Sequence, residues 1–267
     1  MNYNNFYLHR LINMKYKHIV TFILTFQFCQ LYAQIEKIKL HKKPEYMKFS
    51  VDYGLLNGGR LEIMVDTGVV QIDNHICHRI VMKGYTAGMV GWFSTISNEW
   101  FSLIDTSTGL PYKFSRKIIE NTYKKNESTT FDRTKNMAYV TVKTDTSSYE
   151  VKDYPIDNQS HDMISAYFAF RFYDFEDVRK KDTLTIPFFL ENKLYYFKMR
   201  YVGKKKIKTI FGKKKALVIS PILPPNKMFS SGESIKVYLS DDKNRIPLKM
   251  QASLVIGSIT ANLEEYK

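Results

Sequence analysis

The sequence predicts a mainly β protein, with antiparallel strands in a strongly curved sheet or open barrel and one covering helix at about residues 160–175. Three observations indicate this class. Apolar and polar residues alternate along most of the chain after residue 45, short polar turn sequences separate these runs, and a single segment has helical spacing. The alternation gives roughly ten to twelve strands, too many for a flat sheet, which favours a barrel or a sandwich.

The strongest strand predictions come from four segments with alternating or β-branched residues. They are MKFSVDYG from Met47, LYYFKMRYVG from Leu194, ESIKVYLS from Glu233 and ASLVIGSITANL from Ala252. Such alternation is typical of antiparallel strands that bury one face. Turn-forming residues mark connections at residues 56–59, 72–75, 106–111 and 241–244. Aromatic residues make up 15% of the chain and suit the inner face of a curled sheet.

The helix is predicted from the segment SHDMISAYFAFRFYDFEDV, which begins at Ser160. Five of its residues recur at helical spacing: Met163, Ile164, Tyr167, Phe168 and Arg171. Ser160 is the expected N-cap, with Asp162 in the first turn. A lone apolar helix in a β protein is expected to cover an open end of the barrel or to pack against the concave face of the sheet.

The N-terminus predicts export. Lys15 and Lys17 precede an apolar run from about residue 19 to residue 28, and Ala33 provides a small residue at a cleavage position. This is the pattern of a signal peptide, residues 1–33, and the run is shorter than the about 20 residues that span a bilayer. Translation from Met1 or Met14 would give the same mature chain. Lipid attachment at Cys29 is disfavoured, because the residues before it are not small.

Cleavage would leave a single β-rich domain, residues 34–267, without a transmembrane span. It removes three positive charges and no acid, so the net charge falls from +14 to +11. The domain keeps one cysteine, Cys77, so its stability must come from core burial and not from an internal disulfide. An exported chain without disulfides is typical of the periplasm or envelope of a Gram-negative bacterium, which is the expected location.

One motif has a catalytic form: Asp66-Thr67-Gly68 follows an apolar pair, as in aspartic proteases. Such a site needs two aspartates that share a proton, and the second candidate, Asp105, is followed by Thr-Ser and not Thr-Gly. We therefore interpret Asp66 as part of a strand that heads for a polar turn.

The segment HICH, residues 75–78, is a candidate metal or thiol site. On a strand His75 and Cys77 share a face while His78 lies opposite, so the three cannot bind one ion. Apolar neighbours indicate that Cys77 is a buried core thiol. Phosphate-loop, dinucleotide and serine-hydrolase motifs do not occur in the sequence. We expect no enzymatic activity, no metal and no cofactor.

Two sets of residues are candidates for binding. Apolar ligands would contact a glycine-rich loop and the helix, through Trp92, Phe93, Trp100, Tyr167 and Phe168, unless these aromatics only fill the core. An anionic surface would contact a lysine-rich hairpin, through Lys204, Lys205, Lys206, Lys208, Lys213, Lys214 and Lys215. The alternative for the hairpin is a solvated structure whose lysines protect a sheet edge. Nucleic acid is not expected as a partner after export.

The segments FSVDYGLLNGGRLEI, GWFSTISNEWFSLIDTSTGLPYKFSRKI, HDMISAYFAFR and VYLSDDKNRIPLKMQASLVIGSITANLEEY together resemble a bacterial family known as domain of unknown function 3108. The resemblance covers about residues 46–266. Its most specific parts are the Asp242-Lys243-Asn244 turn that leads to Pro247-Leu248, the Tyr53-Gly54 pair before Gly58-Gly59, and four helix residues, Asp162, Ser165, Tyr167 and Arg171. It implies an exported β-rich domain, common in Bacteroidetes-type bacteria, and supplies no catalytic residues because the family has no established activity.

The leading hypothesis is a non-enzymatic envelope protein that holds a lipid or another apolar ligand in a β-barrel cavity. A second hypothesis is an assembly factor that binds an envelope protein through a strand edge or the lysine-rich hairpin. A third is an unrecognised hydrolase, which would require a pocket where Asp66, Asp105 or a histidine meets a second polar group.

Overall fold

The computed structural model describes residues 44–143, 150–171, 182–222 and 233–267, and in addition Tyr173, Phe175, Val178 and Arg179. The predicted signal peptide lies outside these residues. All residues that the structure describes belong to one compact unit, Lys37–Lys267. No helix in this part of the chain is long and apolar enough to cross a membrane.

Fourteen antiparallel strands form a single sheet in the described part of the chain. Their bounds are β1 Glu45–Tyr53, β2 Leu56–Ile72, β3 His75–Thr86, β4 Ser97–Asp105, β5 Pro111–Glu120, β6 Tyr123–Asp132, β7 Met137–Lys143, β8 Glu150–Pro155, β9 Thr183–Leu190, β10 Lys193–Thr209, β11 Gly212–Ile222, β12 Ile235–Ser240, β13 Pro247–Ser253 and β14 Ser258–Tyr266. A short 3-10 helix, η1, spans Gly88–Trp92, and an α-helix, α1, spans Met163–Arg171. The predicted class is confirmed, with more strands than the ten to twelve expected.

The order of the strands is β8-β7-β6-β5-β4-β3-β2-β1-β14-β13-β12-β11-β10-β9, which places β8 and β9 at the two edges. Three contacts show that the sheet curls and brings these edges towards each other. Helix α1 contacts both β4 and β9. Arg116 on β5 forms an ion pair with Glu191 after β9, and the rings of Phe131 on β6 and Phe189 on β9 lie 6.2 Å apart. The result is an open barrel, because β8 and β9 do not pair.

Alternate residues of the strands bury one face of the sheet. On β1 to β3 the buried side chains include Met47, Phe49, Ile63 and Ile80, and they belong to one cluster with Phe168 of α1. Full burial of a large apolar side chain contributes roughly 1.5–3 kcal/mol. The helix therefore packs on the same face that the alternation of the sequence predicts to be buried.

Helix α1 begins three residues later and ends four residues earlier than predicted. Its N-cap is Asp162 and not Ser160, because the Asp162 carboxylate accepts hydrogen bonds from the backbone N–H groups of Ile164 and Ser165 at 2.8 and 2.7 Å. The Ser165 hydroxyl in turn accepts from the Asp162 N–H at 3.0 Å. Ser102 on β4 donates to the same carboxylate at 2.6 Å, so a tertiary contact reinforces this choice of cap.

The other end of α1 is held by a buried ion pair. The guanidinium of Arg171, which is fully buried, donates to both carboxylate oxygens of Glu45 at 2.6 and 2.8 Å. It also donates to the backbone carbonyls of Asn244 and Arg245, in the turn between β12 and β13. One side chain thus joins the end of the helix, the start of β1 and a turn on the far side of β14.

The predicted turn at residues 56–59 is wrong, and the other three predicted turns lie between strands. The chain turns at Gly54, whose φ of +59° favours glycine, and β2 already begins at Leu56. Gly58 and Gly59 are strand residues. A Cβ on Gly59 would lie 2.5 Å from the Tyr85 carbonyl oxygen, so glycine is needed there for close approach of β2 and β3.

Candidate functional site

An apolar cavity of about 370 Å³ lies on the buried face of the sheet, at the end where β1 finishes. Its walls come from β1 to β3, from the loop before β4, and from β12 to β14, and they include Val51, Leu61, Ile96, Met250, Ile259 and Ala261. The strand register places these walls together, because Val51 is opposite Ala261 and Ala261 is opposite Met250. Leu61 and Met250 also pack against the main core, so the cavity is continuous with it.

The cavity exists where inward positions carry small side chains. Gly59 is opposite Val51 and Thr86, Gly84 is opposite Leu61, and Ala252 is opposite Ile259. At Gly84 a Cβ would lie 3.3 Å from the ring of Trp100, so the glycine allows that indole to approach β3 closely. A larger residue at Ala252 would fill part of the space, whereas a side chain at Gly59 or Gly84 would first meet the Tyr85 carbonyl oxygen or the ring of Trp100. The lining is almost wholly apolar, which suits a hydrocarbon ligand.

The five aromatic residues predicted to bind a ligand are not brought together. Trp92 and Phe93 are 82% and 86% exposed on the loop that contains η1; they do not line the cavity, although Thr86 and Ile96 on either side of the loop do. Trp100 is half-buried on β4 and packs against the main core next to Gly84. Phe168 is fully buried in the core.

Tyr167 lines a second, smaller cavity of about 150 Å³ between α1 and strands β9 to β12. Its neighbours there include Met163, Phe170, Phe197 and Ile219. The Tyr167 hydroxyl is buried without a hydrogen-bond partner among the described residues, and burial holds its pKa well above the usual range. This cavity is apolar and lies against the helix, so a molecule bound in it would contact α1 directly.

The lysine-rich hairpin extends beyond its neighbours in the sheet. Strand β9 pairs with β10 only as far as Arg200, and β12 pairs with β11 only as far as Ala216. Residues beyond these points pair with each other, and the register sets Lys206 opposite Lys215 and Lys208 opposite Lys213. Like charges placed directly opposite destabilise a strand pair. All seven predicted lysines are exposed; Lys204 forms an ion pair with Asp241 at 3.0 Å.

Asp66 is exposed on β2, at an irregularity in the pairing with β3 between Val65 and Val69. Its carboxylate accepts a hydrogen bond from the Gly68 N–H at 2.8 Å, as in an Asx-turn. Asp66 also lines an open pocket together with Arg79, Lys83 and Glu99, which meets the spatial criterion for the hydrolase hypothesis. The bond to Gly68 is local strand geometry, and an asparagine could make the same bond.

Asp105 lies at the centre of a hydrogen-bonded cluster that the sequence did not predict. It ends β4, and its carboxylate accepts bonds from Ser107, Thr108 and the His75 imidazole, the last at 2.8 Å. Burial raises the pKa of Asp105, but the bonds from Ser107, His75 and Thr108 outweigh it and hold that pKa well below its usual range. Opposite Asp105 lies Cys77, a free, fully buried thiol whose pKa burial and the Asp105 charge raise to about 11.

This arrangement does not make a nucleophilic site. A thiol with a raised pKa is a poor nucleophile at neutral pH. The hydroxyl of Ser107 donates to Asp105 and not to His75, so the order of a serine triad is absent. The group does not line any of the cavities described above, and its hydrogen bonds order the loop after β4. Groups of three or more potential metal ligands are absent from the part of the chain that the structure describes.

A second polar cluster lies beneath the start of α1. His161 is 1% exposed, and its Nδ1 lies 3.1 Å from the Ser165 hydroxyl, which also bonds the Asp162 backbone. Burial, with help from the Arg133 charge, lowers the pKa of His161 to about 3, so the imidazole is neutral. Burial raises the pKa of Asp162 to about 6. These groups cap a helix and join it to β4 and β9, and they line neither of the two cavities described above.

The cavity itself was not assigned from sequence, although some of its residues were noted. The signal was available in part, since Gly84 and Ala252 interrupt strands at positions where a large apolar residue would continue the inward face. It becomes readable only when the strand register shows that these small residues lie around one space.

Comparison with known proteins agrees with the fold and names a family. A crystal structure of a beta-barrel-like protein of domain of unknown function DUF1849 from Brucella abortus is similar over 85% of this chain and 98% of its own, at a TM-score of 0.54 and 8% identity. No curated protein matches the sequence. The model of the family described as a protein of unknown function, DUF3108, matches residues 48–264. The chain therefore belongs to the DUF3108 family.

Proposed function

We propose that this protein is a non-enzymatic, exported envelope protein that holds one apolar molecule, such as the acyl chain of a lipid or a hydrophobic peptide side group, in the cavity between β1–β3 and β12–β14. The observation that supports this function is the apolar lining of that cavity, about 370 Å³ in volume, on the inner face of the sheet. Ligand cavities typically range over roughly 300–1,000 Å³. This one is at the lower end and suits a single chain.

The polar clusters support the non-enzymatic part of the proposal. His75 and Asp105 are engaged in ordering a loop, and His161 and Asp162 are buried at a helix start. None of these groups lines the cavity, whose surface is mostly apolar although Arg60, Tyr85 and Gln251 also border it.

The test is a titration with a fluorescent fatty acid, combined with native mass spectrometry of protein from its own host. We expect a one-to-one complex and a co-purifying apolar mass. The variant Ala252→Trp, which places an indole in the cavity, should weaken binding by at least about tenfold. Thr185→Trp is the control, since it adds the same indole at an exposed position on β9 that does not line the cavity, and it should bind normally. Equal binding by both variants would refute the cavity as the site.

Export is proposed on the basis of the signal-peptide pattern in residues 1–33. Fractionation of the native host, with N-terminal sequencing of the mature protein, tests it directly. A chain that begins at Gln34 in the envelope or periplasmic fraction is expected, and an uncleaved cytoplasmic chain would contradict the proposal.

A second candidate function is suggested by the lysine-rich hairpin, whose strands have free outer edges beyond β9 and β12 in the described structure. The juxtaposed pairs Lys206–Lys215 and Lys208–Lys213 favour an anionic partner that would relieve their repulsion. An acidic envelope protein or an anionic membrane surface has this chemistry. Charge reversal at these four lysines should abolish binding to anionic vesicles, or to an acidic partner protein in a pull-down, and leave the circular dichroism spectrum unchanged.

A further inference from the structure

The end of the barrel at which the cavity lies is rimmed by exposed apolar side chains. Four connections form this rim, residues 53–57, 87–96, 121–124 and 253–258. They carry the exposed large residues Tyr53, Leu55, Leu56, Trp92, Phe93, Tyr123, Val255 and Ile256. Leu55, Trp92, Phe93 and Ile256 are each more than three-quarters exposed. Isolated exposed apolar residues are common on proteins, whereas a contiguous group of this size marks an interaction surface.

Hydrogen bonds between the four connections show that the rim is contiguous. The Tyr53 hydroxyl donates to the Ile256 carbonyl at 2.9 Å, which joins the first and last connections. The Ala87 N–H donates to the Gly58 carbonyl at 3.2 Å, which joins the η1 loop to the start of β2. Thr95 and Asn121 exchange two bonds, at 2.7 and 2.9 Å, which join that loop to the turn after β5.

The charge of the rim favours a lipid surface over a protein as its binding partner. The four connections contain no acidic residue and a single basic one, Lys124, which is exposed next to Tyr123. Asp52 and Glu120 directly precede two of the connections, so acidic residues flank the rim and do not lie within it. Tryptophan, tyrosine and leucine in connections that contain no acidic residue match the boundary between lipid head groups and acyl chains, where aromatic residues concentrate. A protein partner would more commonly be met by a rim of mixed charge around an apolar centre.

We propose that this rim docks on the surface of a lipid bilayer, with Trp92, Phe93, Leu55 and Ile256 inserted at the head-group boundary. The proposal deepens the proposed function, because Thr86 and Ile96, beside the η1 loop, also line the cavity. Docking would bring the mouth of the cavity to the membrane, so that an acyl chain enters it without crossing water. The lysine-rich hairpin leaves the sheet at the opposite end of β12 from the cavity and takes no part in this contact.

The experiment is flotation of the purified protein with vesicles of zwitterionic phosphatidylcholine, at low and high salt. We expect binding that salt does not abolish, because the rim has almost no charge. The variant Trp92→Ser/Phe93→Ser should lower the partition coefficient by at least about tenfold. Val69→Ser/Ile76→Ser is the matched control, since it removes two exposed apolar side chains of β2 and β3 away from the rim and should bind as the parent does.

Three flotation results would overturn the docking surface: no binding to neutral vesicles, equal binding by the rim variant, or binding to anionic vesicles alone that high salt removes. Rim-dependent self-association without vesicle binding would assign the surface to a second copy of the chain and also overturn it. Fatty-acid titration without vesicles separates the two proposals. Rim-dependent flotation by a protein that binds no fatty acid would support docking and refute the cavity function alone, whereas fatty-acid binding with rim-independent flotation would refute docking alone.

Discussion

Breaking the ion pair between Arg171 and Glu45 by removing the arginine should cost the domain a large part of its stability. Both side chains are buried, and the guanidinium makes two bonds to the carboxylate at 2.6 and 2.8 Å. Arg171→Met would leave the Glu45 carboxylate buried without its cation. Removal of one partner from a buried pair typically costs about 3–5 kcal/mol, of a total stability of roughly 5–15 kcal/mol.

Urea unfolding followed by circular dichroism at 25 °C measures this cost. With a slope of about 2 kcal/mol per M, a loss of about 4 kcal/mol lowers the midpoint by about 2 M. The double variant Glu45→Leu/Arg171→Met should recover part of the loss, because no charge then remains buried. Lys83→Met is the control, since its pair with Glu99 is exposed and should contribute less than about 1 kcal/mol. A loss below about 1 kcal/mol for Arg171→Met would refute the argument that this pair holds the helix in the barrel.

Three further predictions concern single carboxylates and the hairpin. Asp66→Asn should change the free energy of unfolding by less than about 0.5 kcal/mol in urea titration, because the amide oxygen can still accept from the Gly68 N–H. The pKa of Asp162 is raised to about 6 from 3.8, so the native state binds more protons between these values and stability should fall as the pH rises through that window. Asp162→Asn, which keeps a good N-cap, should remove a component of up to about 3 kcal/mol from that fall in pH-dependent unfolding, and an unchanged profile would contradict the assignment. Lys206→Glu should raise the free energy of unfolding by about 0.2–1 kcal/mol in urea titration, through attraction to Lys215, and it should weaken binding to anionic vesicles. A lower free energy of unfolding would contradict the repulsion between these two strands.

The fold was predictable where it depends on local pattern. Alternation in MKFSVDYG gives the buried face of β1, since Met47 and Phe49 are fully buried, and the Asp73-Asn74 turn lies between β2 and β3 as expected. The local sequence pattern cannot place a turn where two neighbouring segments have the same propensity to form one. Gly54 and Gly58-Gly59 both favour a turn, and only the pairing of β2 with β3 shows which of them is needed in the strand.

Long-range contacts explain the remaining differences. Ser160 and Asp162 are both good N-caps, and the hydrogen bond from Ser102, 60 residues away in sequence, reinforces Asp162. Arg171 meets a carboxylate 126 residues away, a partner that no helical or strand periodicity indicates. The cavity also depends on contacts between distant segments, because its lining residues lie on different strands that only the strand register brings together. Sequence reasoning proposed Trp92 and Phe93 as ligand contacts or as core residues; both are exposed, on the loop that contains η1, so they do not fill the core.

The most direct test of the account is the position at which a bound acyl chain contacts the protein. A fatty acid with a photoreactive diazirine near its methyl end can be cross-linked in the complex and the labelled residues identified by mass spectrometry. We expect labels on Leu61, Met250 and Ile259, from three strands that converge on the cavity of about 370 Å³. Labels confined to the smaller cavity beside α1, or to the lysine-rich hairpin, would contradict it.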